Sequence, residues 1–220
     1  MNEQGATVTK KYWNTFYKQN VNLPKSSFCS KVQETLTSES FVVDIGCGSA
    51  RDTFAFASGG IDAIGIDGSE EAINLNKSKA KELHLPSEVS FVTLDLCKSS
   101  DLKSLFEELK IQGLEKRKHF VLYLRFLLHA VDDKTEKTLL DTISDVFPQG
   151  TRFAAEFRTK EDEQLNKIYD NHYRRFVDTD RFIPDLESKG FEINSFFKGT
   201  GLSIYKGEDP FLARVFATKR

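Results

Sequence analysis

Short apolar runs alternate with amphipathic segments from Phe41 to the end of the 220-residue chain. We predict a strand at each apolar run and a helix wherever apolar residues recur at spacings of three and four. The predicted strands are Phe41–Ile45, Ile61–Ile66, Val89–Leu94, Phe120–Leu124, Arg152–Phe157, Phe191–Phe197 and Phe211–Ala217. The predicted helices are Asp52–Ala57, Ser69–Leu83, Ser99–Leu109, Asp133–Phe147, Lys160–Tyr173 and Thr179–Lys189.

This alternation predicts an α/β fold in three layers, with helices on both faces of a doubly wound sheet. The last two predicted strands look like a hairpin, so the parallel sheet ends in an antiparallel pair. The result is a mixed sheet of about seven strands. Ligands of such sheets bind at the carboxyl ends of the strands, near the point where the strand order reverses.

Composition narrows the class of protein and of partner. Hydrophobic residues make up 39% of the chain and charged residues 29%, enough for one core and one domain. The net charge of −2 gives no general attraction to nucleic acids or anionic membranes, so we expect neither as a partner. No apolar run is long enough to span a bilayer, and we expect a cytoplasmic protein. The oligomeric state stays open.

The three cysteines are Cys29, Cys47 and Cys97. They are widely spaced and form no Cys-x-x-Cys pair, which argues against a disulfide framework and against a zinc site. We expect reduced thiols.

A glycine turn between the first strand and the first helix is the strongest functional signal. Its sequence is Asp44-Ile45-Gly46-Cys47-Gly48. The small residues let a ligand lie against the backbone, and the following helix begins with free N–H groups. The pattern is typical of nucleotide-like cofactor sites.

Two cofactor classes fit such a turn. A dinucleotide fingerprint needs a third Gly or Ala, and Arg51 occupies that position, which weakens the pyrophosphate interpretation. Asp67 ends the second strand about 20 residues further on, where a carboxylate can accept hydrogen bonds from ribose hydroxyls. Asp95 ends the third strand.

The turn at residues 44–48, together with Asp67 and Asp95, resembles the class I S-adenosylmethionine-dependent methyltransferases, from Phe41 to the end of the chain. The resemblance implies the strand order 3-2-1-4-5-7-6 with an antiparallel last strand. It also implies S-adenosyl-L-methionine as cofactor, S-adenosyl-L-homocysteine as product and no metal. Gly46 and Gly48 would line the methionine part, Asp67 would bind the ribose, and Asp95 with Leu96 would meet the adenine. The other expected cofactor-binding residues are Asp44, Cys47, Arg51, Gly68, Ser69 and Leu124, with Cys47 packing rather than reacting.

The acceptor must be aligned with the methyl group and desolvated. Arg125 follows the fourth strand and Arg158 the fifth, where magnesium-dependent relatives need oxygen ligands, so we expect no metal. The segment Leu124-Arg125-Phe126-Leu127 lacks the Asn/Asp-Pro-Pro-aromatic and Pro-Cys motifs of enzymes that methylate DNA bases. An acceptor other than a DNA base is therefore expected.

Arginines indicate an anionic acceptor, because guanidinium groups bind phosphate and carboxylate bidentately. The candidates for catalysis or acceptor binding are Arg125 and Arg158, together with His172, Arg174 and Arg175 of the run His172–Phe176. For Arg174 and Arg175 the alternative is a solvated helix end, or ion pairs with Asp170 and Asp178. His129 is a candidate general base for a hydroxyl acceptor, or equally a structural residue.

A second resemblance refines the acceptor. The segment Tyr123–Ala130, Glu156–Arg158, His172–Phe176 and the loop Gly201–Pro210 resemble small methyltransferases of phosphonate biosynthesis and methyltransferase modules that cap phosphorylated surface polysaccharides. This implies O-methylation of a phosphonate, phosphate or carboxylate on a small molecule or glycan. Such an oxygen is already ionised at neutral pH, so no strong base is needed.

Aromatic residues cluster near the N-terminus, at Tyr12–Lys18. We expect residues 1–40 to form a helical cap next to the catalytic domain 41–220. The cluster either packs on the sheet edge or closes as a lid that brings Tyr12, Tyr17 or Lys18 to the cofactor and acceptor.

Three alternatives remain at this stage. The chain could be a non-catalytic S-adenosylmethionine-binding partner subunit. It could methylate a neutral hydroxyl or amine with His129 as base. It could also be a nicotinamide reductase built on a similar sheet.

Overall fold

The computed structural model describes residues 24–165, 167 and 173–220. Their helices are α1 (Ser27–Gln33), α2 (Arg51–Ser58), α3 (Glu70–Glu82), α4 (Ser99–Glu115), α5 (Asp133–Val146) and α6 (Thr179–Ser188), with a 3₁₀ helix at Lys160–Gln164. Their strands are β1 (Ser40–Ile45), β2 (Asp62–Asp67), β3 (Val89–Thr93), β4 (His119–Arg125), β5 (Arg152–Arg158), β6 (Phe191–Gly199) and β7 (Leu212–Lys219).

All seven strands form one sheet in the order β3-β2-β1-β4-β5-β7-β6. Strands β1 to β5 pair in parallel, and β7 pairs antiparallel with both β5 and β6. The predicted fold class, strand order and antiparallel last strand are therefore confirmed. The strand order reverses between β1 and β4, which places the switch point beside the glycine turn.

Burial on both faces of the sheet explains the continuous apolar runs. Val42 and Val43 are adjacent in β1, and each is fully buried in a different cluster, because successive side chains point to opposite faces. The Val43 side holds buried residues of α4, α5 and α6, among them Phe106 and Ile143. The Val42 side holds Phe28 of α1 and Phe56 of α2.

Helix α4 continues beyond the predicted end at Leu109 and passes through Gly113. A side chain at position 113 would overlap the ring of Phe120 on β4, so the glycine allows this close approach of helix and strand. The cost of glycine inside a helix is thereby offset by packing.

The predicted helix Lys160–Tyr173 is wrong in its described part. The 3₁₀ helix ends at Gln164, and residues 173–176 are not helical. The cause is Asp162, which is fully buried, binds Arg158 and accepts a 2.8 Å hydrogen bond from the Phe211 N–H. Its side chain thus holds the segment against β5 and the approach to β7.

Within the described ranges, no helix is long and apolar enough to cross a membrane.

Candidate cofactor and acceptor site

The glycine turn leaves β1 in a conformation that favours glycine. Gly46 has φ 80° and Gly48 has φ 52°. The N–H groups of Gly46 and Cys47 donate to the Ile66 carbonyl over 2.7 and 3.0 Å. The Asn76 side-chain amide of α3 donates to the Gly48 carbonyl over 2.8 Å. The turn is therefore fixed to β2 and α3 before any ligand binds.

Leu127 covers one side of this turn. A Cβ atom on Gly46 would lie 2.9 Å from Leu127 Cδ1, closer than side chains pack. Position 46 accordingly needs glycine for two reasons, its φ angle and the space that Leu127 occupies.

Asp67 joins the glycine turn to the start of α3. Its Oδ2 accepts from the Gly48 N–H over 2.9 Å and its Oδ1 from the Ser69 N–H over 2.8 Å. Burial nevertheless raises the pKa of Asp67, against the effect of both bonds. Each oxygen still has a lone pair for a further donor such as a ribose hydroxyl. Ser69 caps α3 by accepting from the Ala72 N–H over 3.2 Å, and Gly68 between them is exposed.

Asp44 is a buried carboxyl group behind the turn, 3% exposed. Burial raises its pKa to about 8, and the negative charges of Asp52 and Asp67 act in the same direction. The hydrogen bond from the Thr53 hydroxyl to Asp44 Oδ2 opposes this shift. Asp44 is largely protonated at neutral pH until a cationic group approaches it.

The turn after β3 lies beside Asp67, since the Leu94 N–H donates to the Asp67 carbonyl over 2.9 Å. Asp95 is exposed, and its Oδ1 accepts from the Cys97 N–H over 3.0 Å, so the side chain stabilises its own turn. Leu96 is half-buried against the core.

Leu124 and Cys47 are the two remaining hydrophobic residues among the predicted cofactor contacts. Leu124 is fully buried in β4, backbone included, so its predicted contact with the cofactor stays a prediction. Burial raises the pKa of the Cys47 thiol well above its usual value, which keeps the thiol protonated and is consistent with packing rather than nucleophilic attack.

Comparison with known proteins identifies the family of this chain. The model of the family described as "Methyltransferase domain" matches residues 36–172, more than half of the chain. The chain belongs to the methyltransferase domain family. It is an S-adenosylmethionine-dependent methyltransferase, and S-adenosylmethionine is its cofactor.

Individual relatives agree at the level of the fold. The mRNA cap guanine-N(7) methyltransferase of Schizosaccharomyces pombe is 33% identical over 112 residues, which are 50% of this chain but only 29% of that protein. A SAM-dependent methyltransferase from Methanosarcina mazei superposes with TM-score 0.66 at 18% identity, covering 90% of this chain and 99% of that one. Magnesium protoporphyrin IX methyltransferase from Synechocystis, with bound SAH, gives TM-score 0.68 at 14% identity, covering 98% and 100%.

The glycine turn at residues 44–48 fits S-adenosylmethionine. Gly46 is partly exposed and neither Gly46 nor Gly48 has a side chain that would keep a ligand from the backbone, and Asp67 keeps acceptor capacity on both oxygens beside the turn. Buried Asp44 becomes a good partner for an ammonium group once it ionises. In the part of the chain that the structure describes, no group of three or more His, Cys, Asp or Glu residues is arranged to hold a metal ion.

Arg125 lies at the carboxyl end of β4 with its side chain 14% exposed. Its Nη2 donates to Ser203 Oγ over 3.0 Å, and its guanidinium carbon lies 4.3 Å from the centre of the Phe126 ring. Its Nε is 3.0 Å from Glu156 Oε1, although the N–H is not aligned for a hydrogen bond. The pair is therefore an ion pair by distance.

Arg51 approaches the same region from the start of α2, with its side chain 20% exposed. The Nε atoms of Arg51 and Arg125 lie 3.8 and 3.9 Å from the two carboxylate oxygens of Asp52. Burial lowers the pKa of Arg51, and the positive charge of Arg125 lowers it further. Two cations thus converge on one carboxylate next to the glycine turn.

Asp52 was missed by sequence reasoning as a functional candidate. It accepts from the backbone N–H and the hydroxyl of Ser26, each over 2.7 Å, and from the Tyr123 hydroxyl over 2.8 Å. The only local signal was a carboxylate in the first turn of a helix, which normally indicates capping. Its partners lie 26 and 71 positions away. Other missed residues are Thr53, Asn76, Glu156, Ser203 and Arg214.

Arg158 was predicted to bind the acceptor, but the structure gives it a structural role. Its Nη1 donates to Asp162 Oδ2 over 2.7 Å, and its Nη2 binds Glu208. The residue is 7% exposed, and both carboxylates are buried. The guanidinium is occupied by these ion pairs, so we do not propose it as an acceptor ligand.

Arg175 is likewise occupied, by partners other than those expected. It binds Asp133 over 2.5 Å, contacts Glu136 and donates to the Leu128 carbonyl over 2.8 Å. Asp178 instead pairs with Lys160.

Neighbouring Arg174 is half-buried. Four predicted site residues lie outside the described residues. They are the acceptor-binding candidates Tyr12, Lys18 and His172 and the catalytic candidate Tyr17, and their roles stay predictions.

His129 is buried and accepts a 3.2 Å hydrogen bond at Nδ1 from the Arg158 backbone N–H. In a neutral imidazole this bond assigns the proton to Nε2. The lone pair that a general base needs is therefore already engaged. This geometry supports the structural alternative for His129.

Proposed function

We propose that this methyltransferase transfers the methyl group to an ionised oxygen of an anionic acceptor, a phosphonate, phosphate or carboxylate on a small molecule or glycan. The observation that carries the proposal is the convergence of Arg51 and Arg125 beside the glycine turn. Within the described ranges, no hydrogen bond reaches the Arg51 guanidinium, although four fifths of its side chain is buried. An anion between the two cations would relieve their repulsion and supply acceptors.

Each part of the site has a task in this proposal. When bound, S-adenosylmethionine supplies an electrophilic methyl group on a sulfonium. Gly46 and Gly48 hold its methionine end, and Asp67 holds the ribose. Arg51 and Arg125 would hold the acceptor anion between them, with Arg125 contributed by the carboxyl end of β4. Because the acceptor oxygen is already ionised, the protein only aligns it and excludes water.

Acceptors that need a general base are less well supported. Neutral hydroxyls and amines would rely on His129, whose Nδ1 lone pair accepts from Arg158. Two other carboxyl groups near the turn are badly placed to take a proton from an acceptor, since Asp44 is buried behind the turn and Glu156 is fully buried and ion-paired. A non-catalytic S-adenosylmethionine-binding partner subunit would bind the cofactor through the same turn at residues 44–48 but would methylate no acceptor.

Similarity to the cap guanine-N(7) methyltransferase favours a second candidate, a guanine ring nitrogen. A cap structure also carries phosphates that Arg51 and Arg125 could bind. The net charge of −2 argues against a general affinity for RNA but not against a small capped nucleotide.

The experiment is transfer of tritiated methyl groups from S-adenosylmethionine to a panel of acceptors. The panel contains phenylphosphonate, sugar phosphates, benzoate, neutral alcohols and amines, and the cap dinucleotide GpppG. Labelling of phosphonate, phosphate or carboxylate oxygens supports the proposal. Labelling of neutral acceptors alone, or of GpppG at a ring nitrogen alone, contradicts it.

The Arg125→Ala variant locates the acceptor. We expect its acceptor KM to rise at least about tenfold while cofactor affinity stays within about twofold, because one charged hydrogen-bonding group is lost. Arg152→Ala is the matched control, since Arg152 lies at the amino end of β5 and binds the Thr35 carbonyl over 2.7 Å. Equal losses of acceptor and cofactor binding in Arg125→Ala would argue against an acceptor role.

A further inference from the structure

Glu156 is a carboxylate buried without any exposed surface at the carboxyl end of β5. In the sheet register it lies between Arg125 of β4 and Arg214 of β7. Neighbouring residues in register share one face of a sheet, so the three side chains form a row of alternating charge. The row lies at the edge where the cofactor binds.

The two arginines contact Glu156 in different ways. Arg214 Nε donates to Glu156 Oε2 over 2.6 Å. Arg125 Nε lies 3.0 Å from Glu156 Oε1 without hydrogen-bond alignment, and neither atom has another hydrogen-bond partner among the described residues. Arg125 is thus paired with Glu156 by charge alone, whereas Arg214 is also fixed to it by a hydrogen bond.

Both arginines extend to the loop that joins β6 to β7, residues 200–211. Arg125 Nη2 donates to Ser203 Oγ over 3.0 Å, and Arg214 Nη2 donates to the Leu202 carbonyl over 2.7 Å. The Ser27 hydroxyl of α1 donates to the same carbonyl over 2.7 Å. One buried carboxylate therefore organises two strands and this β6–β7 loop.

We propose that Glu156 is a positioning residue for methyl transfer, which orients Arg125 toward the acceptor and, through Arg214, holds the β6–β7 loop beside it. The inference rests on the proposed function of Arg125. Without the negative charge of Glu156, Arg125 keeps its contact with the Phe126 ring and its hydrogen bond to Ser203, but it loses its nearest negatively charged partner. Repulsion from Arg51 then turns Arg125 away from the acceptor.

The test uses anion binding to the enzyme loaded with S-adenosylhomocysteine, measured by calorimetry with phenylphosphonate and benzoate, and with benzamide as a neutral probe. We expect Glu156→Gln to weaken binding of at least one anion about tenfold or more. Cofactor affinity should stay within about twofold, and Glu156→Asp, which keeps the charge, should recover part of the loss. Asp62→Asn is the control, because Asp62 pairs with Lys118 over 2.8 Å at the opposite end of the sheet.

A double-mutant cycle with Arg125→Ala separates positioning from general stability. If Glu156 acts through Arg125, then Glu156→Gln adds less than about twofold in the Arg125→Ala background. Additive losses overturn the inference, as does an unchanged anion affinity in Glu156→Gln with only a lower Tm. If Glu156→Gln does not fold, Ser203→Ala takes its place, with a loss of about threefold expected and no change counting against us.

Failure of the proposed function is recognised separately. No binding of either anion to the wild-type enzyme, or an unchanged affinity in Arg125→Ala, would refute the acceptor role of Arg125 and with it this inference. An effect in Arg125→Ala without one in Glu156→Gln would refute only the inference.

Discussion

The Thr53 hydroxyl donates to Asp44 Oδ2 over 2.5 Å, from the first turn of α2 back to the end of β1. This bond favours the ionised carboxylate, but burial outweighs it and raises the pKa of Asp44 to about 8. At neutral pH the Asp44 carboxyl group next to the glycine turn therefore carries a proton.

Asp44→Asn should reveal this proton in the unliganded enzyme. The native pKa of Asp44 is raised above the ordinary value of 3.8, so the native state binds more protons than the unfolded state between about pH 4 and pH 8. The contribution of Asp44 to stability is present at low pH and is lost as pH rises through 8. We expect the Tm of Asp44→Asn relative to wild type to increase from pH 5 to pH 9.

The matched control for this pH series is Asp141→Asn. Hydrogen bonds from Lys137 and Lys189 lower the pKa of Asp141, so its Tm difference from wild type should stay constant over the same interval. A constant difference for Asp44→Asn as well would show that Asp44 is ionised in the unliganded enzyme.

Asp67→Asn should weaken cofactor binding about 10- to 100-fold, the range expected for hydrogen bonds to a charged group. An asparagine can accept only one of the two N–H bonds from Gly48 and Ser69. Calorimetry with S-adenosylmethionine measures the loss. Asp62→Asn at the other end of β2 should leave the affinity unchanged, and similar losses in both variants would contradict a specific role for Asp67.

Gly46→Ala should destabilise the protein and reduce cofactor binding. The positive φ alone costs about 1–2 kcal/mol for a residue with a Cβ atom, and the contact with Leu127 adds to it. Gly68→Ala is the comparison, because its Cβ atom would lie 3.6 Å from the Leu94 carbonyl oxygen, an ordinary contact. Urea unfolding of both variants tests the difference, and equal stability would mean that the turn can rearrange.

Arg158→Ala should lower the free energy of unfolding by about 3–5 kcal/mol, since it removes the guanidinium that pairs with two buried carboxylates, Asp162 and Glu208. Arg181→Ala removes an exposed ion pair with Asp133 and should cost about 0–1 kcal/mol. Denaturant unfolding distinguishes the two. An Arg158→Ala protein of normal stability with a raised acceptor KM would restore the sequence-based role of Arg158.

The sheet could be predicted because its strands are buried on both faces. Runs such as that containing Val42 and Val43 leave few alternatives to a central parallel strand, and the positions of Asp67 at the end of β2 and Asp95 shortly after β3 follow from where these strands end. Side-chain partners could not be predicted in this way. Arg158 binds Glu208, which lies 50 residues away in sequence, and Glu156 binds Arg214, which lies 58 residues away.

Local pattern also failed where a single buried polar residue decides the structure. The α-helix predicted from Lys160 does not form, because the Asp162 carboxylate binds Arg158 and the Phe211 N–H and holds this segment as a short 3₁₀ helix. Gly113, a residue that usually weakens a helix, lies inside α4 because the Phe120 ring needs the space. Both outcomes depend on packing between elements that are distant in sequence.

The three donors to Asp52 set a practical limit on how short a working fragment of this protein can be. Ser26 supplies two of them, and it lies before the first strand of the sheet. A fragment that starts at the sheet would keep every strand yet remove two of the three donors to Asp52 that the described residues supply, leaving the Tyr123 hydroxyl. Fragments for crystallisation or engineering should therefore begin no later than Ser26.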